Sequence, residues 1–145
     1  MKAEAEFRKQ VLKLLKPIGA FPIENADTRG EGTPDVCTVA GWIELKVADR
    51  PAKANTIVSI DLRNSQRLWL RRWGKHGGRA WTFTLLLRHP SIEKQADVWI
   101  LHDGPWASEH LGKSTLTGLM ESSIAWWTDE PDSTTLINAL INSRV

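Results

Sequence analysis

Apolar residues near the start of the chain recur at helical spacing. At about 100° per residue, Phe7, Val11, Leu14, Leu15 and Ile18 share one face, which predicts an amphipathic helix over residues 3–16. Pro17 and Gly19 end it, since proline lacks an amide hydrogen and glycine favours the conformations that close a helix. Phe21-Pro22-Ile23 reads as a short edge strand, and residues 26–34 as a polar, glycine-rich loop. The period then falls to two. Residues 35–48 read as two strands joined by a turn near Ala40-Gly41, the second being Trp42-Ile43-Glu44-Leu45-Lys46-Val47. A second helix is predicted over roughly 62–74, with Leu62, Trp69, Leu70 and Trp73 as its apolar face. Residues 80–88 read as a buried strand and 97–102 as another, while Leu136, Ile137, Leu140 and Ile141 fit a terminal helix over about 132–143. The order α-β-β-β-α-β, followed by a C-terminal extension, predicts an α/β fold with a mixed sheet flanked by helices.

Composition adds exclusions. The 145 residues are 41% apolar and 25% charged, which excludes disordered and collagen-like classes and fits one domain. Its core would span about 3–103 and the extension about 104–145. No apolar run approaches the roughly 18–20 residues of a membrane span, and the start Met-Lys-Ala-Glu-Ala-Glu has no apolar stretch of the kind a secretory signal needs. The expectation is a cytoplasmic protein that contacts no membrane. One cysteine excludes a disulfide framework and a cysteine-based zinc site.

The net charge of +2 averages two unlike parts. Residues 1–89 hold 16 Lys and Arg against 9 Asp and Glu, a balance of +7. Residues 90–145 hold 3 against 8, a balance of −5. A cationic part of this kind is what a polyanion partner requires.

The candidate chemistry lies in residues 32–48. Side chains alternate across a strand, so Ile43, Leu45 and Val47 form a core face and Trp42, Glu44 and Lys46 share the other. Around a two-residue turn at Ala40-Gly41, Cys37 lies opposite Glu44 and Asp35 opposite Lys46. Asp35 and Glu44 are then diagonal neighbours on one face, with Cβ atoms about 7 Å apart or less. Two carboxylates so placed call for a cation. Hard oxygen ligands on strands suit Mg2+ or Mn2+, and the Leu45 carbonyl adds a third oxygen. Lys46 stands beside them to stabilise charge or orient water. Gly30 and Gly32 would let a phosphate backbone approach, and Thr33 before Pro34 is biased to the extended form that feeds Asp35 into its strand.

Pro34-Asp35 followed by Glu44-Leu45-Lys46 resembles the signature of the PD-(D/E)XK nuclease superfamily. The fuller pattern, Gly32-Thr33-Pro34-Asp35, then Trp42-Ile43-Glu44-Leu45-Lys46-Val47, then Gln66-Arg67-Leu68-Trp69, is similar to the VRR-NUC branch and related phage nucleases. The resemblance covers about residues 4–88. It implies a restriction-endonuclease-like core and a Mg2+-dependent DNA endonuclease, with branched DNA such as a Holliday junction as substrate. It also implies a homodimer and a bacterial or phage-infected host cell.

The resemblance further implies one inward polar residue from each flanking helix. Gln66 falls in the middle of the second helix's apolar face, where a buried amide needs partners. In the first helix, Glu4 lies on the Phe7 side and is the candidate further metal ligand, with Glu6 in reserve. The catalytic set is thus Asp35, Glu44, Lys46 and Gln66, and the metal set Asp35, Glu44, Leu45 and Glu4. Arg63, Arg67, Arg71 and Lys75 recur every four residues as a basic stripe, and residues 62–79 contain no acid. That stripe, extended by Arg50 and Lys53, is the expected nucleic-acid surface. Among the eight tryptophans, Trp69, Trp73, Trp81 and Trp99 read as packing, whereas Trp42 shares the Glu44 face and is open to substrate contact. A non-catalytic DNA-binding subunit, and an exonuclease or RNase using the same metal site, stand as alternatives.

Overall fold

The structure, a computed structural model, describes residues 2–24 and 31–143. Helix α1 (Lys2–Leu14) runs into a 3-10 turn at Lys16–Ile18, where Pro17 and left-handed Gly19 stop it. Strands β1 (Phe21–Pro22), β2 (Val36–Cys37) and β3 (Trp42–Asp49) follow, then α2 (Asn64–Lys75) and β4 (Ala80–Leu87). The chain continues through β5 (Val98–Asp103), α3 (Gly104–His110), α4 (Leu116–Glu121), β6 (Ala125–Thr128) and α5 (Ser133–Asn142). The six strands form one mixed sheet in chain order. Only β3 and β4 are parallel, and α2 supplies the crossover between them.

Strand alternation decides the layers. Ile43, Phe83, Trp81, Trp99 and Leu101 project to one face and pack with Phe7, Val11 and Leu15 of α1 and with Leu136 and Leu140 of α5. Ala80, Leu86, Val98 and Ile100 project to the other, against Leu70 of α2, Ala107 of α3 and Leu119 of α4. The result is an α/β fold with helices on both faces of the sheet. Among the described residues, no helix is long and apolar enough to cross a membrane.

Residues 104–143 are more than an appendage to a core ending near 103. Strand β6 pairs with β5, and α5 buries Leu136 and Leu140 fully in the same cluster as Phe7. The predicted hairpin register also needs correction. Cys37 pairs with Trp42 and Val36 with Ile43, so the loop is Thr38–Gly41, four residues rather than two. The Thr38 hydroxyl accepts from the amides of Ala40 (3.0 Å) and Gly41 (3.1 Å), which fixes the longer turn. Gly41 sits at φ 151°, and a Cβ there would meet the Arg79 carbonyl at 2.5 Å. An even loop length preserves the face assignment, and Asp35 lies immediately before β2.

Candidate functional site

Strand β2 covers β3 only at Trp42 and Ile43, so from Glu44 onward the β2 side of β3 is an open edge. Asp35 fills its start. The Asp35 main-chain oxygen accepts from Ile23 N (2.8 Å), and its carboxylate Oδ2 accepts from Leu45 N (2.9 Å). In an extended strand the N–H and C=O of one residue face the same edge, so the Leu45 carbonyl points to this edge as well.

Glu44 projects to the α2 side and is 2% exposed. Its Oε2 accepts from Gln66 Nε2 at 3.1 Å and lies 3.4 Å from Lys46 Nζ. Gln66, buried in the first turn of α2, turns its Oε1 toward Lys46 Nζ (3.0 Å) and the Arg63 amide (2.9 Å). The amide thus fixes both charged side chains of the Glu-Leu-Lys triplet. Glu44 Oε1 is buried with no hydrogen-bond partner among the described residues. Burial, then the nearby Asp35 charge, push the Glu44 carboxyl well above its ordinary range, and Lys46 opposes them.

These groups open into a 430 Å³ cavity between α1 and α2. Asp35, Glu44, Leu45, Lys46 and Gln66 line it, as does Glu4 of α1. Glu6 is exposed and outside this lining. Three further residues, Ala5, Arg8 and Asp61, line the cavity without having been singled out from sequence. Arg8 follows Glu4 by four residues, which on a helix means the same face. Asp61 precedes α2 in an irregular stretch, where no period could have marked it.

Among the described residues, no three His, Cys, Asp or Glu side chains form a metal-binding group. Two carboxylates and a strand carbonyl do converge. They fit a hard divalent cation on one observation: Glu44 Oε1 is a buried, unpartnered oxygen beside a second carboxylate. Among the described residues, Lys46 is the one cation bonded to the pair, which leaves one positive charge against two carboxylates there.

Other expectations are redistributed. Gly30 lies outside the described residues. Gly32, at φ 79°, is buried against the first turn of α2, where a Cβ would meet the Ser65 carbonyl at 2.2 Å, so its smallness serves packing rather than phosphate approach. Trp42 meets Trp69 and Trp73 edge-on, at 5.5 and 6.1 Å, and is not part of the cavity lining. Trp81 and Trp99 are buried as expected, but Trp73 is 38% exposed.

Of the basic stripe, Arg67 lies where α2 meets α3. Arg67, half-buried, donates to the carbonyls of Leu62 (3.1 Å), Ser108 (3.3 Å) and Leu111 (2.7 Å), and so closes the end of α3. Arg63, Arg71 and Lys75 are exposed. Arg50 is half-buried and donates to the Ala96 carbonyl at 2.8 Å, whereas Lys53 is exposed in the loop after β3. Comparison with protein-family models, with curated proteins and with solved structures finds no match to this chain.

Proposed function

We propose that this chain is a Mg2+-dependent DNA endonuclease with a restriction-endonuclease-like core. The observation that carries the reading is the meeting of Asp35, Glu44, Lys46 and Gln66 at an open strand edge inside one cavity. The order α1-β1-β2-β3-α2-β4 agrees with the order the resemblance implies. Asp35, Glu44 and the Leu45 carbonyl are the groups that would hold Mg2+ or Mn2+, with Glu4 on the opposite wall. When bound, the cation supplies charge to the phosphoryl oxygens and lowers the pKa of water.

The chain's own residues do the rest. Lys46 Nζ, anchored by Glu44 and Gln66, has a proton free to orient an attacking water or to meet charge developing on phosphorus. Gln66 holds the lysine and the carboxylate in one geometry, so neither must reorganise during an in-line displacement. The resemblance extends the reading to branched DNA cut by a homodimer, which would place two symmetric nicks.

Incubation of the full chain with supercoiled plasmid, four-way junction and linear duplex, with and without Mg2+, tests this. Mg2+-dependent nicking that disappears in Glu44→Ala and Lys46→Ala is expected. Wild-type cleavage by either variant would overturn the mechanism. Tight binding without cleavage would make the chain a DNA-binding subunit, and cleavage confined to RNA would make it an RNase.

A further inference from the structure

Among the described residues, two cations line the cavity, and they are in different circumstances. Lys46 is committed to Glu44 and Gln66. Arg8, on the α1 wall, makes no hydrogen bond or ion pair among the described residues. The other charged residues that line it, among those described, are acidic: Glu4, Asp35, Glu44 and Asp61. Such a lining repels a phosphodiester; the proposed divalent cation would offset this at the phosphate being cleaved, but a neighbouring phosphate needs a cation of its own. None of the stripe residues Arg63, Arg67, Arg71 and Lys75 lines the cavity, and Arg67 is bonded to α3 carbonyls.

Ala5 lies between Glu4 and Arg8 on the same wall, with a single methyl for a side chain. Leu45 and Val47, both half-buried, line the adjoining floor from the α1 side of β3. The wall therefore offers a guanidinium beside a shallow apolar shelf. Guanidinium donors match two oxygens of one phosphate, and a shelf of small apolar groups accommodates the carbon face of a sugar.

We propose that the α1 wall is where the substrate strand is held: Arg8 binds the phosphate next to the one being cleaved, and Ala5 with Leu45 and Val47 seats the sugar between them. This rests on the nuclease reading above and adds to it the side of the cavity along which the strand runs. Arg8 is a binding residue in this arrangement and takes no part in proton transfer.

The test compares wild type, Arg8→Gln, Arg8→Lys and Ala5→Phe as full chains, with thermal melting to verify folding. Each is assayed for Mg2+-dependent cleavage of a four-way junction and, without divalent cation, for Kd against salt on the same DNA. Arg8→Gln is expected to raise KM and Kd about tenfold, with kcat nearly unchanged, and to reduce the salt slope by about one. Arg8→Lys should recover part of the loss, and Ala5→Phe should raise KM without lowering the melting temperature. Wild-type KM and Kd in both Arg8→Gln and Ala5→Phe would overturn the proposal. If wild type binds but does not cleave, the nuclease reading fails; the Kd and salt slope of Arg8→Gln then decide the wall alone.

Discussion

Gln66 and Glu44, twenty-two positions apart in the chain, are joined by a hydrogen bond of 3.1 Å from Nε2 to Oε2. The other end of the same amide holds Lys46 and the Arg63 amide. Replacing Gln66 with Leu keeps the volume roughly constant but strips partners from a buried carboxylate, an ammonium and a main-chain N–H. If the chain is the proposed nuclease, cleavage should fall about 10- to 100-fold, the usual effect of removing a group that orients a metal ligand. Stability should drop by about 1–3 kcal/mol. Steady-state kinetics and chemical denaturation read the two effects separately. Undiminished cleavage would mean that the amide orients nothing.

Glu44 makes stability depend on pH and on metal together. Its folded pKa is raised, chiefly by burial and then by Asp35. A carboxyl of this kind favours folding while protonated, and that contribution is lost as pH rises from the ordinary glutamate range through the raised value. Without divalent cation, the melting temperature should therefore carry a component that falls over this window. On the proposed reading Mg2+ would bind the deprotonated form, so its stabilisation should grow with pH. Glu44→Gln should remove both effects, abolish cleavage, and raise the metal-free melting temperature at neutral pH by about 2–4 °C. A Mg2+ shift of wild-type size in Glu44→Gln, measured by scanning calorimetry, would place the metal elsewhere.

Arg67 is predicted to matter for folding and little for DNA. Its guanidinium closes the carbonyl end of α3 and reaches back to Leu62. Arg67→Ala leaves those acceptors without a donor and should cost about 2–3 kcal/mol, a fall in melting temperature of about 5–10 °C. Arg71→Ala, on an exposed position of the same helix, should stay within about 0.5 kcal/mol of wild type. Equal stability of the two variants would contradict the packing described for α3.

His102 should contribute acid lability. The ring is fully buried, shares a 2.7 Å hydrogen bond between Nε2 and the Leu119 carbonyl, and stacks on Trp106 at 4.5 Å. Nδ1 has no partner among the described residues, and burial lowers the pKa from 6.5 to about 4. Between these values the unfolded chain takes up a proton that the folded ring refuses, so stability is lost as pH falls. The loss amounts to roughly 3 kcal/mol. His102→Gln, which keeps a donor but cannot titrate, should flatten this part of the stability profile. A profile unchanged by the substitution would assign the acid sensitivity to other groups.

The alternation in β3 shows how much of the site was legible. Ile43 faces the α1 side, and Glu44 and Lys46 face α2, as period-two spacing requires. Gln66 was legible for the same kind of reason, since a polar residue in the middle of an apolar helical face must find a partner. The hairpin register was not legible, because a threonine hydroxyl closing on two amides sets the loop length. Arg67 misled because α3, seven residues long and opened by Gly104-Pro105, is too short to show a period. Its carbonyl end therefore could not be foreseen as a competitor for the guanidinium. Asp61 joins the cavity from an irregular stretch, by where the chain turns and not by any local pattern.

The sequence by itself determined which side chains share a face, because backbone geometry fixes the periods of strands and helices within a few residues. It determined in this way that Glu44 and Lys46 project together and that Phe7, Val11 and Leu15 are inward. Only the tertiary structure decided which faces meet. It set Gln66 on Glu44, brought Arg8 to the carboxylate cavity, tied Arg67 to the end of α3, and drew α5 into the main core. Such contacts join residues tens of positions apart. They are set by how the whole core fills and how each loop closes, which no local period encodes.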